Sequence, residues 1–398
     1  MKFNCNYTEL LEILIPSSGV AEDSLSNEDM KNIIFKLERG TPNKASVISV
    51  NQLITFKQFL SMETYSLELE DEELDDEGVL YLQIKSKELL NFLNAYKGLR
   101  RTKVEEVCFK FNSRNNILCT VLEKDIDSEA VHTSRYVFEN LPMKSTVKKS
   151  VSLNAPTEGL NTIESKNILV HTRNMLPILQ SSSQTPTSSN LLFGEDHVVA
   201  IHPSFVTIMS NLVNNDIFRG IKLSQRVLVF IDKTLCTEDV VTVARLREHI
   251  YFQTLTSETF IKYDTKLMEY KYYLDMFKKD HALVLDRIYL KDVLRRLSLA
   301  NDTIEFTIMP EEGVVRLSNS KFDQEIPIIK DKALAEIGKI QFRVMPEVLT
   351  KAIIGSDDEF SGNSFVYYCA DGRNVSIIFA DDSGSWFSII RVKVKTEV

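Results

Sequence analysis

Residues Leu290–Ile328 read LKDVLRRLSLANDTIEFTIMPEEGVVRLSNSKFDQEIPI, and a change of rhythm inside this stretch decides the fold. Leu290, Val293, Leu294 and Leu297 recur at three- and four-residue spacing, which places them on one face of a helix over Leu290–Leu299. From Asn301 onward the apolar period moves toward two, the mark of half-buried strands, with PEEG as the turn between them. The stretch is therefore one short amphipathic helix followed by an antiparallel meander.

The same unit recurs along the chain. Helices are expected over Tyr7–Leu14, Ser86–Tyr96, Thr172–Gln180, Leu223–Leu235, Leu290–Leu299 and Pro346–Ile354, each followed by strand-like segments. In ARLREHIYF and TLTSETF the turns between successive strands are visible, and near the end ADGRN and DDSGS play that part. Two stretches read as connectors, the Ser/Thr/Asn-rich Lys144–Lys166 and the aromatic MEYKYYLDMFKKD of Met268–Asp280. They group the six units into three pairs, with domain bounds at 1–145, 146–275 (connector 146–166) and 276–398. The fold class expected is α+β.

Composition narrows the function. The chain has 398 residues, 43% hydrophobic and 26% charged, which suits several cores of a globular protein. No apolar run is long enough to span a membrane as a helix. The opening MKFNCNYTELLEILIPSSG lacks a basic n-region and a cleavage site, so a cytoplasmic protein without a membrane partner is expected. Cys5, Cys108, Cys119, Cys236 and Cys369 are scattered, with no CxxC and no Cys/His cluster, so neither a metal site nor a disulfide framework is expected. The acidic run Glu68–Glu77 reads as a solvated loop and the paired acids Asp357–Asp358 and Asp381–Asp382 as turns. Without a P-loop, GxGxxG, HExxH or GxSxG, the expectation is a non-enzyme with no catalytic residues and no cofactor.

Several segments resemble the bacterial DNA polymerase III β-type sliding clamp, a polymerase processivity factor. MKFNCNYTELLEIL looks like its first strand and helix. LYLQIKSKELLNFLNAYKGLRRTKVEEVCFKF with SRYVFENLP is similar to the second half of its first domain. NLLFGEDHVVAIHPSFVTIMS resembles paired strands of the second domain, and IGKIQFRVMPEVLTKAI with SFVYYCADGRNVSIIFADD the closing half-domain. The resemblance implies three clamp-type domains, each of two helix-plus-meander halves, with helices inside and sheets outside a ring. Ring closure by self-association, as a homodimer, is implied as well. Two places depart from the family pattern: Ile201-His202-Pro203-Ser204 stands where a Thr-Asp-Gly-type turn is usual, and the chain ends SIIRVKVKTEV without a Met/Pro tail. These point to a divergent clamp of phage or mobile-element type.

A clamp holds duplex DNA by phosphate contacts that carry no sequence information. The net charge of −9 speaks against a nucleic-acid-coating protein, yet one basic surface on an acidic whole suffices. The candidates are Lys97, Arg100, Arg101 and Lys103 around the second helix, Arg173 on the third, Arg226 and Lys233 on the fourth, Lys291, Arg295 and Arg296 on the fifth, and Lys351 on the last. Lys85 and Lys87 lie beside the first group. The resemblance also implies a pocket for a short apolar peptide of the polymerase and clamp loader. By position it would use Met175, Leu176, Ile201, Pro203, Phe205, Val206, Tyr273, Phe277, Ile389, Ile390 and Val392, with Tyr272 beside them. The other reading of the sequence is a clamp-like binding protein, acting as a transcription coactivator or as an inhibitor of a host clamp.

Overall fold

The computed structural model describes residues 1–22, 30–70, 73–99, 101–111, 116–179, 190–202, 204–213, 216–235, 238–265, 274, 281–300, 302–332, 338–354, 363–371, 374–381 and 386–392. The fold is α+β. Its described helices are α1 (Tyr7–Glu22), α2 (Ser86–Asn94), α3 (Ser145–Val151), α4 (Ser165–Leu179), α5 (Gln225–Leu235), α6 (Arg287–Ser298) and α7 (Pro346–Ile354). The chain separates into two compact units, Met1–Glu164 with Lys233–Tyr263, and Ser165–Asp232 with Asp264–Val398.

The first unit holds two antiparallel sheets. One runs in the order Tyr65–Glu68, Lys2–Asn6, Thr102–Phe111, Asn116–Asp125, Val131–Glu139. The other has the order Asn161–Glu164, Val240–Arg245, His249–Gln253, Ser257–Lys262, Ile54–Phe59, Lys44–Val50, Asn32–Glu38, Val79–Lys85. Two meanders from distant parts of the sequence fuse in it, where Ser257 pairs Gln58 and Ile261 pairs Ile54. A half-buried ion pair crosses that seam, Lys57 Nζ to Glu258 Oε2 at 3.1 Å.

The second unit holds one sheet of twelve strands. In order these are Ile221–Ser224, Asn190–Phe193, His197–His202, Phe205–Ser210, Trp386–Val392, Asn374–Ala380, Asn363–Asp371, His281–Asp286, Asp323–Lys332, Val314–Ser318, Ile304–Met309 and Ile340–Val344. Its own long-range seam joins Phe205–Ser210 to Trp386–Val392, and the buried Thr207 and Ser388 hydroxyls meet across it at 2.6 Å.

Helix bounds follow from caps and burial. The Asn6 side chain accepts hydrogen bonds from the Thr8 and Glu9 amides at 2.9 and 3.2 Å, starting α1. Asp286 does the same for α6, accepting from the Tyr289 amide at 2.8 Å. The first helix was expected over Tyr7–Leu14, but α1 runs on through Pro16 to Glu22. Val20 and Ala21 are buried there, and the Ser17 hydroxyl donates to Gln58 Oε1 at 2.9 Å, so packing outweighs the missing amide. Helix α4 begins seven residues ahead of the expected Thr172 because Ile168, Leu169 and His171 are also buried.

The expected connector Lys144–Lys166 has structure of its own: α3, and the edge strand Asn161–Glu164. In the eight-stranded sheet, Ile33, Phe35 and Val47 face the core that α1 shares. Ile34, Ile48 and Val50 face the other side, where Val147 and Val151 of α3 cover them. A little further on, Leu153 packs on Ala244, Tyr251 and Phe260. The segment from α3 to Leu153 therefore straps both halves of that sheet on the face away from α1.

Candidate nucleic-acid and partner-peptide surfaces

Lys97, Arg101 and Lys103 are exposed in the turn after α2 and at the start of the strand that follows, with Arg100 outside the described residues. Gly98 takes a left-handed conformation (φ 78°) that reverses the chain there. Among the described residues none of these three cations has an ion-pair partner.

The helix cations differ from one another. On α6, Leu290, Val293, Leu294 and Leu297 are buried, which turns Arg295 and Arg296 outward. Arg295 Nη1 reaches Asp292 Oδ1 at 3.3 Å, whereas Arg296 has no ion-pair partner among the described residues. Lys291 is half-buried on the same helix. Arg173 on α4 pairs with Asp232 of α5 at 2.8 Å, and Lys351 on α7 pairs with Glu347 one turn earlier. Arg226 is half-buried and Lys233 exposed on α5. The structure brings Lys291, Arg295, Arg296 and Lys351 onto one packed helix pair, α6 with α7, and α4 also packs on α7. Exposed pairs of this kind contribute little to stability and exchange readily for phosphate.

The peptide-pocket candidates fall on both faces of the twelve-stranded sheet. Val206 pairs Ile201 on one side and Ile389 on the other, and all three belong to one apolar cluster with Phe387 and Ile378. Phe205 pairs Ile390, and alternation turns these two to the opposite face. Met175, Phe205, Val206, Ile389 and Ile390 are buried, while Leu176, Ile201 and Val392 keep part of their surface exposed. Pro203, Tyr272, Tyr273 and Phe277 lie outside the described residues. Leu274 and Phe365 were not among the candidates, yet they pack half-buried against the Val206–Ile389 cluster beside Ile201. The aromatic character of Met268–Asp280 was the available signal for Leu274.

Beside this sheet sits His171, fully buried on α4, whose Nε2 accepts the Leu212 amide at 2.8 Å. Burial pushes its imidazole down to about 4, so it is the neutral acceptor that holds the segment after Phe205–Ser210. Cys5, Cys108, Cys119 and Cys369 are buried free thiols, and burial pushes Cys5 and Cys119 well up, away from reactivity. Cys236 lies outside the described residues. Among the described residues, no group of three His, Cys, Asp or Glu is placed to hold a metal ion, and no helix is long and apolar enough to cross a membrane.

No family model matches the sequence, and no curated protein matches it. Solved structures do. A putative DNA polymerase III β subunit from Eubacterium rectale superposes with a TM-score of 0.73 at 13% identity, over 98% of both chains. The DNA polymerase III β chain of Streptococcus pneumoniae gives 0.72 at 13% identity, over 99% of this chain and 100% of that one. The chain has the sliding-clamp fold. The sliding clamp of Bacillus subtilis, at 0.71 and 12% identity, covers 100% of both chains. In a sliding-clamp fold matched from end to end, the recurring helix-plus-meander unit is the organising element, and it survives where only about one residue in eight is shared.

Proposed function

We propose that this protein is a DNA sliding clamp: a ring that encircles duplex DNA without reading its sequence and tethers a replicative DNA polymerase for processive synthesis. The observation that carries the reading is the end-to-end match to DNA polymerase III β subunits, 98% or more of both chains in each. Exposed cations on α6 and after α2 supply weak, exchangeable phosphate contacts, while the ring supplies retention. No reaction is catalysed in this role; the work is topological.

Three domains per chain, at 1–145, 146–275 and 276–398, make a head-to-tail homodimer of six domains the simplest ring that closes. The strand Val131–Glu139 is an edge of its sheet, with Val131, Tyr136 and Val137 exposed, and such an edge suits strand pairing with a second copy. Polymerase and clamp loader bind through a short apolar peptide, seated where Ile201 reaches the surface beside the half-buried Leu274 and Phe365. The buried Val206 and Ile389 support that seat on the same face of the sheet, and Phe205 and Ile390 lie on the other.

Two measurements test this reading. Size-exclusion with light scattering should give a dimer, and protein assembled on nicked circular DNA should stay bound until the circle is cut to a linear form. A monomer equally absent from both DNA forms would reject the clamp and favour a clamp-like coactivator or inhibitor.

A further inference from the structure

We infer that the DNA-facing surface is interrupted at α1, whose outward face repels phosphate, so that duplex contact is carried by α6 and the turn after α2. The inference rests on the clamp reading and adds which helices touch DNA and which hold it off.

α1 and α6 occupy equivalent places, each in its own unit. A strand runs directly into the helix (Lys2–Asn6 into α1, His281–Asp286 into α6), and a side-chain cap at the junction starts it. A second helix then packs alongside, α2 or α7. Their outward stripes are therefore the corresponding surfaces. On α6 the stripe is Ile288, Asp292, Arg295 and Leu299, flanked by Arg296. On α1 it is Glu12, Ile15, Gly19 and Glu22, all exposed, at spacings of three and four that keep them in one row. Neither Glu12 nor Glu22 has an ion-pair partner among the described residues. Nothing lies within 4 Å of where a side chain at Gly19 would begin, so the row is open to approach.

The charge asymmetry extends beyond the helix. Between Lys2 and Lys31 the sequence has no Lys or Arg, yet it has Glu9, Glu12, Glu22, Asp23, Glu28 and Asp29. No nearby cation is therefore available in this segment to cancel the two outward carboxylates. A duplex lying against such a row keeps its counterions there instead of releasing them, and gains no affinity from that contact.

The test uses the full chain and a nicked duplex circle, with binding measured over a series of salt concentrations. The variants are E12K/E22K and R295E/R296E, each checked for an unchanged melting transition. E12Q/E22Q serves as the neutral control should the lysines perturb folding. E12K/E22K should tighten binding about five- to tenfold near 0.1 M salt and steepen the logarithmic salt slope by up to about two, since each new phosphate contact adds roughly 0.9. E12Q/E22Q should move affinity the same way by a smaller factor, and R295E/R296E should weaken it with a shallower slope. Unchanged binding in the α1 variants, alongside a loss in R295E/R296E, overturns the repulsive gap and leaves the clamp reading standing. No loss in R295E/R296E overturns the assignment of these helices to DNA.

Discussion

Inside, the α1–α2 and α6–α7 pairs obey one rule, with Leu10, Leu14, Leu89 and Leu93 buried in the first and Leu290, Leu294, Leu297 and Leu349 in the second. Outside they part: α1 shows carboxylates and α6 shows guanidinium groups. Burial constrains the inner face to a few residue types, whereas the outer face is free to take whatever charge its partner demands. A common scaffold can therefore recur in one chain while its two surfaces carry different charge.

The largest expected effect probes the shared interior. Leu10→Ala and Leu294→Ala each empty a fully buried site and should each cost about 3–4 kcal/mol in denaturant unfolding. A cost near zero in one of them would break the equivalence of the two helices.

A smaller effect separates the units by acid. His171, in the second unit, is neutral in the folded chain, its pKa depressed from 6.5 to about 4. The unfolded chain thus binds that proton more tightly. Stability from this group is complete above about pH 6.5, declines as pH falls toward 4, and declines no further below that. The full loss is at most about 3 kcal/mol. Thermal melts between pH 7 and 4 should show the loss, and His171→Gln should flatten it. An equally steep decline in the Gln variant would assign the acid sensitivity to other groups.

Smallest are the caps. Asn6→Ala and Asp286→Ala should each destabilise by about 1 kcal/mol, since each removes a side-chain acceptor from a helix N-terminus. Hydrogen exchange at Thr8 and Glu9 in the first variant, and at Tyr289 in the second, reads the loss locally.

The repeated unit was legible because apolar period is a property of neighbours in sequence: Pro346–Ile354 has the same bounds in the structure, and PEEG is the turn expected, with Gly313 at φ 70°. Helix ends were less so. Pro16 looks like a stop until the burial of Val20 and Ala21, which depends on strands far along the chain, is known. The ion pairs divide in the same way. Glu347–Lys351 and Asp292–Arg295 lie at helical spacing and could have been anticipated, whereas Arg173–Asp232 needed the fold. Strand alternation separates Phe205 and Ile390 from Val206 and Ile389, but it does not say which face of the sheet the helices cover. A list of apolar residues therefore mixed the two sides.

The strap formed by α3 and Leu153 bears on how the chain assembles as it is made. Its first anchors, Ile34, Ile48 and Val50, precede it in the sequence; its later ones, Ala244, Tyr251 and Phe260, follow it by a long interval. During synthesis Val147 and Val151 can dock on the first meander while the second has yet to leave the ribosome. Leu153 then stands at the margin of a finished half-sheet, next to where the strand Ser257–Lys262 must find Ile54–Phe59. A pairing of such large sequence separation is slow to find unaided, and a landing point already in place shortens the search.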